Sequence, residues 1–154
     1  MPDKVSRSGL EVEMAMTTAT TLYCRVATDS EKVAFTKGRE IWTYERLAAE
    51  VECLARGLVE RGLRKGDRVA LHMANLPELV IAYFACFRVG AIAAPLNIRL
   101  KAPELRPLLQ RLRPTLYIGQ ATLYSQVASI DPLILPANRR FAVDGSVNDA
   151  RVQP

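Results

Sequence analysis

Apolar and polar positions along the 154 residues fall into several distinct rhythms. The clearest is helical, with Tyr44, Leu47, Ala48, Val51, Leu54, Ala55 and Leu58 recurring on one face. Thr43 stands where an N-cap belongs, Glu45 suits the positive end of the helix dipole, and Gly62 supplies a stop. Arg46 occupies the place where a full capping box has Glu or Gln. On the outer face Arg46 and Glu50, Glu52 and Arg56, and Arg56 and Glu60 lie four apart, which marks that face as solvated. Upstream, Leu22, Tyr23 and Val26 predict a short helix over 19–27. The runs 33–36 and 39–42, separated by Lys37-Gly38, predict a hairpin anchored by Trp42.

The stretch 62–97 has a different rhythm. A short apolar strand over 68–73 is entered through Lys65-Gly66-Asp67, where Gly66 can take the positive φ of a tight turn. The segment 77–89 is apolar on nearly every side, which predicts a helix covered by protein all round. Gly90 ends it, and the unalternating run 91–95 reads as a strand buried on both faces of a parallel sheet. Further on, Leu105, Leu108, Leu109 and Leu112 form a helical stripe over 102–112. Pro107 lies within it, so regular helix is expected only from about Pro107, after a turn at Pro103. Pro114 ends that element, 115–118 is a third buried strand closed by Gly119, 121–130 a short helix, and 140–143 a last strand. Alternation of strand and helix from Arg68 onward predicts an α/β fold, a three-layer domain built on a parallel sheet. Residues 1–18 are expected to be a loosely attached lead-in, 19–143 one subdomain, and 144–154 a polar linker.

Composition changes this picture little. Hydrophobic content of 49% and charged content of 24% are those of a globular protein, and no apolar run reaches bilayer length. Glu11 and Glu13 interrupt the most apolar part of the amino terminus, which does not read as an export signal, so a cytoplasmic location is expected. Cys24, Cys53 and Cys86 are odd in number and far apart, suggesting reduced thiols and no metal knuckle. A formal charge of +5 raises the question of nucleic acid, but no aromatic residues are interleaved with the basic clusters to stack on bases, and a nucleic-acid partner is not expected.

Candidate chemistry is sparse. His72, the single histidine, lies in a predicted strand with no cysteine or second histidine beside it, and reads as a packed residue. Cys86 sits among Phe84, Ala85 and Phe87, where burial blunts a thiol. Asn75 and Asn97 could hold a ligand, but a cap or a turn accounts for both; Ala91, Ala93 and Ala94 could line a pocket, but close packing needs the same residues. The loop Gly62-Leu63-Arg64-Lys65-Gly66-Asp67 lacks the spacing and the Lys-Ser/Thr of a phosphate loop and reads as a strand-entry turn. No catalytic, cofactor-binding or metal-binding residue is assigned.

The residues do carry a resemblance. Thr43-Tyr44-Glu45-Arg46-Leu47, the stretch Gly62 to Ala70, Asn75-Leu76-Pro77-Glu78, Arg88-Val89-Gly90-Ala91, Pro95-Leu96-Asn97 and Glu104-Leu105 resemble, in order, the amino-terminal part of the AMP-forming acyl-CoA synthetases. The similarity covers about 33–119, leaves the first thirty or so residues unmatched, and departs from the pattern at the proline-rich start of the third helix. It implies the fold of that family's amino-terminal subdomain, and for the complete enzyme it implies ATP, Mg2+ and coenzyme A. The matching segments are framework in the family. Its Ser/Thr/Gly-rich phosphate loop ending in Lys, its aromatic-Gly-x-Thr-Glu motif, its ribose-binding Asp and its carboxy-terminal Lys have no counterparts among these 154 residues. The resemblance therefore implies a fragment ending before the phosphate loop, inactive alone, whose partner is the remainder of the ligase. The alternative is a stand-alone, non-catalytic module that binds a partner or forms a homo-oligomer through an uncovered apolar face.

Overall fold

The computed structural model describes residues 18–145. The lead-in expected over 1–18, save for Thr18, and most of the linker expected over 144–154 lie outside them. The chain divides into two compact units, with the boundary between Ala49 and Glu50.

The upstream unit holds α1 (Thr18–Asp29), the antiparallel pair β1 (Val33–Lys37) and β2 (Glu40–Thr43), and the first turn of α2 (Tyr44–Glu60). The hairpin forms where expected, with Phe35 opposite Trp42 and a bulge between Val33 and Phe35. Trp42 is buried and its ring stacks on Phe35, centroids 5.5 Å apart. Thr43 caps α2 as predicted, its Oγ1 accepting the Arg46 N–H at 3.2 Å. Carbonyls of Ser30 and Lys32 accept the N–H groups of Glu45 and Tyr44, so the start of this helix is tied to the turn before the hairpin. Arg46 does not reach along the helix to Glu50. Its guanidinium lies 3.7 Å over the Trp42 ring and 2.7 Å from Glu40 Oε1, whose carboxyl pKa it lowers.

The downstream unit is a parallel four-stranded sheet in the order β4-β3-β5-β6, made by β3 (Arg68–His72), β4 (Ile92–Pro95), β5 (Leu116–Gln120) and β6 (Arg140–Val143). Alternation along each strand sends side chains to two faces. One face carries Val69, Leu71, Leu116 and Ile118, packed against Ala55 and Leu58 of α2 and Ala82, Ala85 and Cys86 of α3 (Pro77–Val89). The other carries Ala70 and Tyr117, packed against Leu105 and Leu109 of α4 (Ala102–Leu112) and Val127 of α5 (Ser125–Ala128). Helices on both faces make the expected three layers.

Helix α3 starts on Pro77 and ends at Gly90, whose φ of 76° is the left-handed conformation that the closing turn requires. The expectation of cover on every side is not met: Val80, Tyr83 and Phe84 are only partly buried and Phe87 is 37% exposed. Helix α4 also departs from expectation, running as regular helix from Ala102 straight through Pro107. Pro107 loses one bond near the start of the helix. Against that loss, the Glu104 carboxylate accepts the Lys101 N–H at 3.0 Å, and Leu105 and Leu109 are completely buried. In place of one helix over 121–130 there is a 3-10 turn at Ala121–Leu123 followed by the single-turn α5. Strand β5 continues past Ile118 to Gln120, so Gly119 sits inside it.

Candidate functional site

In a parallel sheet all strands end on one edge, and ligands gather there, near the point where the chain switches sides. From β3 the chain goes to β4 on one side, then returns through α4 to β5 on the other, so the switch lies between β3 and β5. The residues brought to this edge are His72 at the end of β3 with Met73 to Asn75 after it, Pro95 at the end of β4 with Leu96 to Ile98 after it, Gln120 at the end of β5 and Asp144 after β6. Gln120 bridges them, its Oε1 accepting the Ala74 N–H at 3.4 Å and its Nε2 donating to Asp144 Oδ2 at 3.1 Å.

A cavity of about 490 Å³ opens on this edge, lined by Leu71, Met73, Asn75, Leu79, Tyr83 and Asn97 among others. Its lining is mostly apolar, with the Asn75 and Asn97 amides and the Tyr83 phenol as its polar side chains, and none of its lining residues is charged. Asn97 serves the turn role expected of it, its Oδ1 accepting the Arg99 N–H at 3.0 Å. A second cavity of about 670 Å³ lies between Gln110, Arg113 and Pro114 at the carboxyl end of α4 and the Leu133–Pro136 segment. It stands where the chain enters β5, away from the edge at which the strands end.

His72 is fully buried on the α4 side of the sheet, as a packed histidine. Its Nδ1 is 2.9 Å from the Tyr117 hydroxyl, and the rings meet edge to face. Nε2 forms no hydrogen bond of ordinary geometry. Burial lowers the His72 pKa, opposed in part by the Asn97 main-chain carbonyl. Burial raises that of Tyr117, so both groups are held neutral. With both side chains buried and neither lining the cavity, this pair is structural. Tyr117 reaches His72 by lying along its own strand across Gly119, where any Cβ would collide with the phenol.

Arg140 was not singled out by the sequence, yet it is 97% covered in the sense that only 3% of it is exposed. Its guanidinium donates to the carbonyls of Val127 at 2.9 Å, Ile130 at 2.9 Å and Leu135 at 2.7 Å. The guanidinium gathers carbonyls from the end of α5 and from the irregular segment after it onto one buried donor group. No local pattern could have revealed it, because the partners are carbonyls and carry no side-chain signature.

The remaining candidates are framework. Cys86 is buried and its thiol pKa is pushed up to about 12 by that burial. The Gly62 to Asp67 loop is a strand-entry turn: Gly66 has φ 86°, its N–H bonds the Gly90 carbonyl at 2.9 Å, and Asp67 Oδ2 accepts the Arg64 N–H at 2.8 Å. Among the described residues no three His, Cys, Asp or Glu side chains converge in a way that could hold a metal ion, and no helix is long and apolar enough to cross a membrane. These residues do not fit a triphosphate or its metal.

Comparison with known proteins supplies what the site does not. The profile of the AMP-binding enzyme family matches residues 23–147, further in both directions than the motifs alone reach. Crotonobetaine/carnitine–CoA ligase of Salmonella typhimurium is 36% identical over 89 residues, which are 58% of this chain and 17% of the relative. Coronafacic acid ligase from Pectobacterium brasiliense superposes with a TM-score of 0.79 at 27% identity, over 88% of this chain and 27% of that one. A long-chain-fatty-acid CoA ligase from Rhodopseudomonas palustris gives 0.81 at 29% identity, over 90% of this chain and 35% of that one. The chain thus spans well under two thirds of the length of these relatives. It belongs to the AMP-binding enzyme family, and its fold is that of the amino-terminal region of acyl-CoA ligases.

Proposed function

We propose that this chain is the amino-terminal scaffold of an ATP-dependent acyl-CoA synthetase of the cytoplasm, and that alone it is catalytically silent. In the reaction assigned to the complete protein, a carboxylate oxygen of a carboxylic or fatty acid attacks the α-phosphorus of ATP and pyrophosphate leaves. The thiol of coenzyme A then displaces AMP from the acyl-adenylate. The observation that carries this reading is the pairing of a family match over 23–147 with a carboxyl-edge cavity whose polar side chains are two amides and a phenol, with no cation. Spreading the charge of a pentavalent phosphorus takes cations, a metal and preorganised N–H groups, which fall to the parts of a ligase that this chain does not span. Residues 19–143 are the subdomain in this reading, preceded by a lead-in over 1–18 and followed by a connecting segment over 144–154. Pyrophosphate exchange into ATP, measured on the 154-residue chain with a panel of short, long and aromatic carboxylic acids, should stay at background. Acid-dependent exchange by the chain alone would sink the proposal.

A further inference from the structure

The cavity of about 670 Å³ at the entry to β5 is assembled from two short stretches of chain. One is Gln110, Arg113 and Pro114 at the end of α4, and the other is Leu133, Ile134 and Pro136 before β6. Its volume is that of a small-molecule site, for which roughly 300–1,000 Å³ is usual. The apolar wall is stiff. Both prolines have a fixed φ. Asp131 Oδ1 accepts the Leu133 N–H at 2.9 Å, and the Asp131 carbonyl accepts the N–H groups of Ile134 and Leu135. The Leu135 carbonyl is in turn held by the Arg140 guanidinium. Leu133 is nonetheless 93% exposed, more than any other large apolar side chain among the described residues.

The polar wall is one guanidinium and one amide. Gln110 and Arg113 stand three apart on one side of α4, and neither side chain has a hydrogen bond or ion pair with another described residue. No lining residue is acidic. Arg113 also closes α4 at φ 47°, a left-handed conformation that glycine or asparagine usually supplies. A residue with a Cβ is strained there, and such strain gathers at ligand clamps.

We propose that this cavity binds a small amphipathic monoanion, a hydrocarbon chain bearing one negatively charged oxygen group. The oxygens meet the Arg113 guanidinium and the Gln110 amide N–H, and the chain lies along Pro114, Leu133, Ile134 and Pro136. A planar fork of donors matches the paired oxygens of such a head group, and a preorganised apolar wall limits the ordering that binding requires. The site stands at the opposite edge of the sheet from the carboxyl-edge cavity, and all six lining residues belong to this chain, so binding is a property of the isolated protein.

The test titrates the 154-residue chain with sodium octanoate and sodium octanesulfonate while following backbone amide signals by NMR. Both anions should move the Gln110, Arg113, Leu133 and Ile134 signals together and saturably, and the tighter of the two identifies the head group. Octanol should bind about tenfold more weakly, the usual worth of a hydrogen bond to a charged group, and octylammonium should leave these signals unmoved. Arg113→Gln should weaken both anions about tenfold and leave octanol unchanged. Leu133→Asn should weaken the anions and octanol by the same factor. Both side chains are exposed, so neither change should move the unfolding midpoint by more than about 2 °C. Equal affinity for octanoate and octanol would overturn the assignment, as would an Arg113→Gln chain that binds octanoate unchanged. Shifts confined to Asn75 and Asn97 would place the anion at the carboxyl edge and overturn it equally.

Discussion

The two faces of the parallel sheet are packed by different chemistry. Under α3 the buried cluster around Val69, Leu71, Leu116 and Ile118 is hydrocarbon apart from the Met73 thioether and the inert Cys86 thiol. Under α4 the sheet buries His72, the Tyr117 phenol and the Arg140 guanidinium among leucines. The first face follows from apolar periodicity and tolerates substitution that conserves volume. The second depends on particular atoms meeting across long stretches of chain: His72 meets a residue 45 positions away, and Arg140 reaches carbonyls 5 to 13 positions back. Stability on the polar face should therefore fail at single atoms.

Arg140→Met gives the largest expected effect. It takes the guanidinium donors from the buried carbonyls of Val127, Ile130 and Leu135, the first of which keeps the Ile130 N–H, and should cost about 3–5 kcal/mol in urea unfolding. A loss below about 1 kcal/mol would put the polar face on a par with ordinary surface. Next comes Gly119→Ala, which drives a methyl into the Tyr117 phenol. A loss of about 2–3 kcal/mol is expected, and it should shrink when Tyr117→Leu is added in the same chain, which makes the pair strongly non-additive. Strict additivity would show that Tyr117 does not lie over Gly119.

Tyr117→Phe is subtler, deleting one hydrogen bond and leaving His72 Nδ1 unpaired at a cost of about 1–2 kcal/mol. The last expectation concerns pH. The His72 pKa is lowered from 6.5 in the folded chain, so below about 6.5 the unfolded chain binds a proton that the folded one does not. The contribution of His72 is thus full above pH 6.5 and is lost as pH falls toward the folded value, by at most about 1.4 kcal/mol per pH unit. His72→Gln should flatten that segment of the stability curve. An unchanged slope would mean that His72 is protonated in place.

The hydrocarbon face was largely legible in the sequence, because its logic is local. The stripe from Leu47 to Leu58, the Pro77 start and Gly90 stop of α3, and the strand at Arg68 are all visible as period, cap and turn. The polar face was not. Gly119 read as the end of a strand, whereas its missing Cβ makes room for a ring two residues earlier. Arg140 carried no signal beyond standing at the start of a strand expected over 140–143. The segment 121–130 read as a helix, but its carbonyls turn to a guanidinium that the local pattern does not mention. Pro107 does not delay the start of α4, because two completely buried leucines on the same helix outweigh one missing donor. At the candidate site Asn97 was read correctly as a turn residue, while the link from Gln120 to Asp144 depends on strand order and needs the sheet to be seen.

The placement of β3 between β4 and β5 also governs how this chain is made. As it leaves the ribosome, β3 can pair at once with β4, through residues 68–71 and 92–95. Its other edge must wait for Leu116 to Gly119, so a row of backbone donors and acceptors stands open while α4 is being synthesised. The nascent chain is most prone to stray pairing in that interval. Slowing translation before Leu116 should raise the insoluble fraction, whereas slowing it after Val143, with β3 paired on both edges and β5 paired to β6, should not.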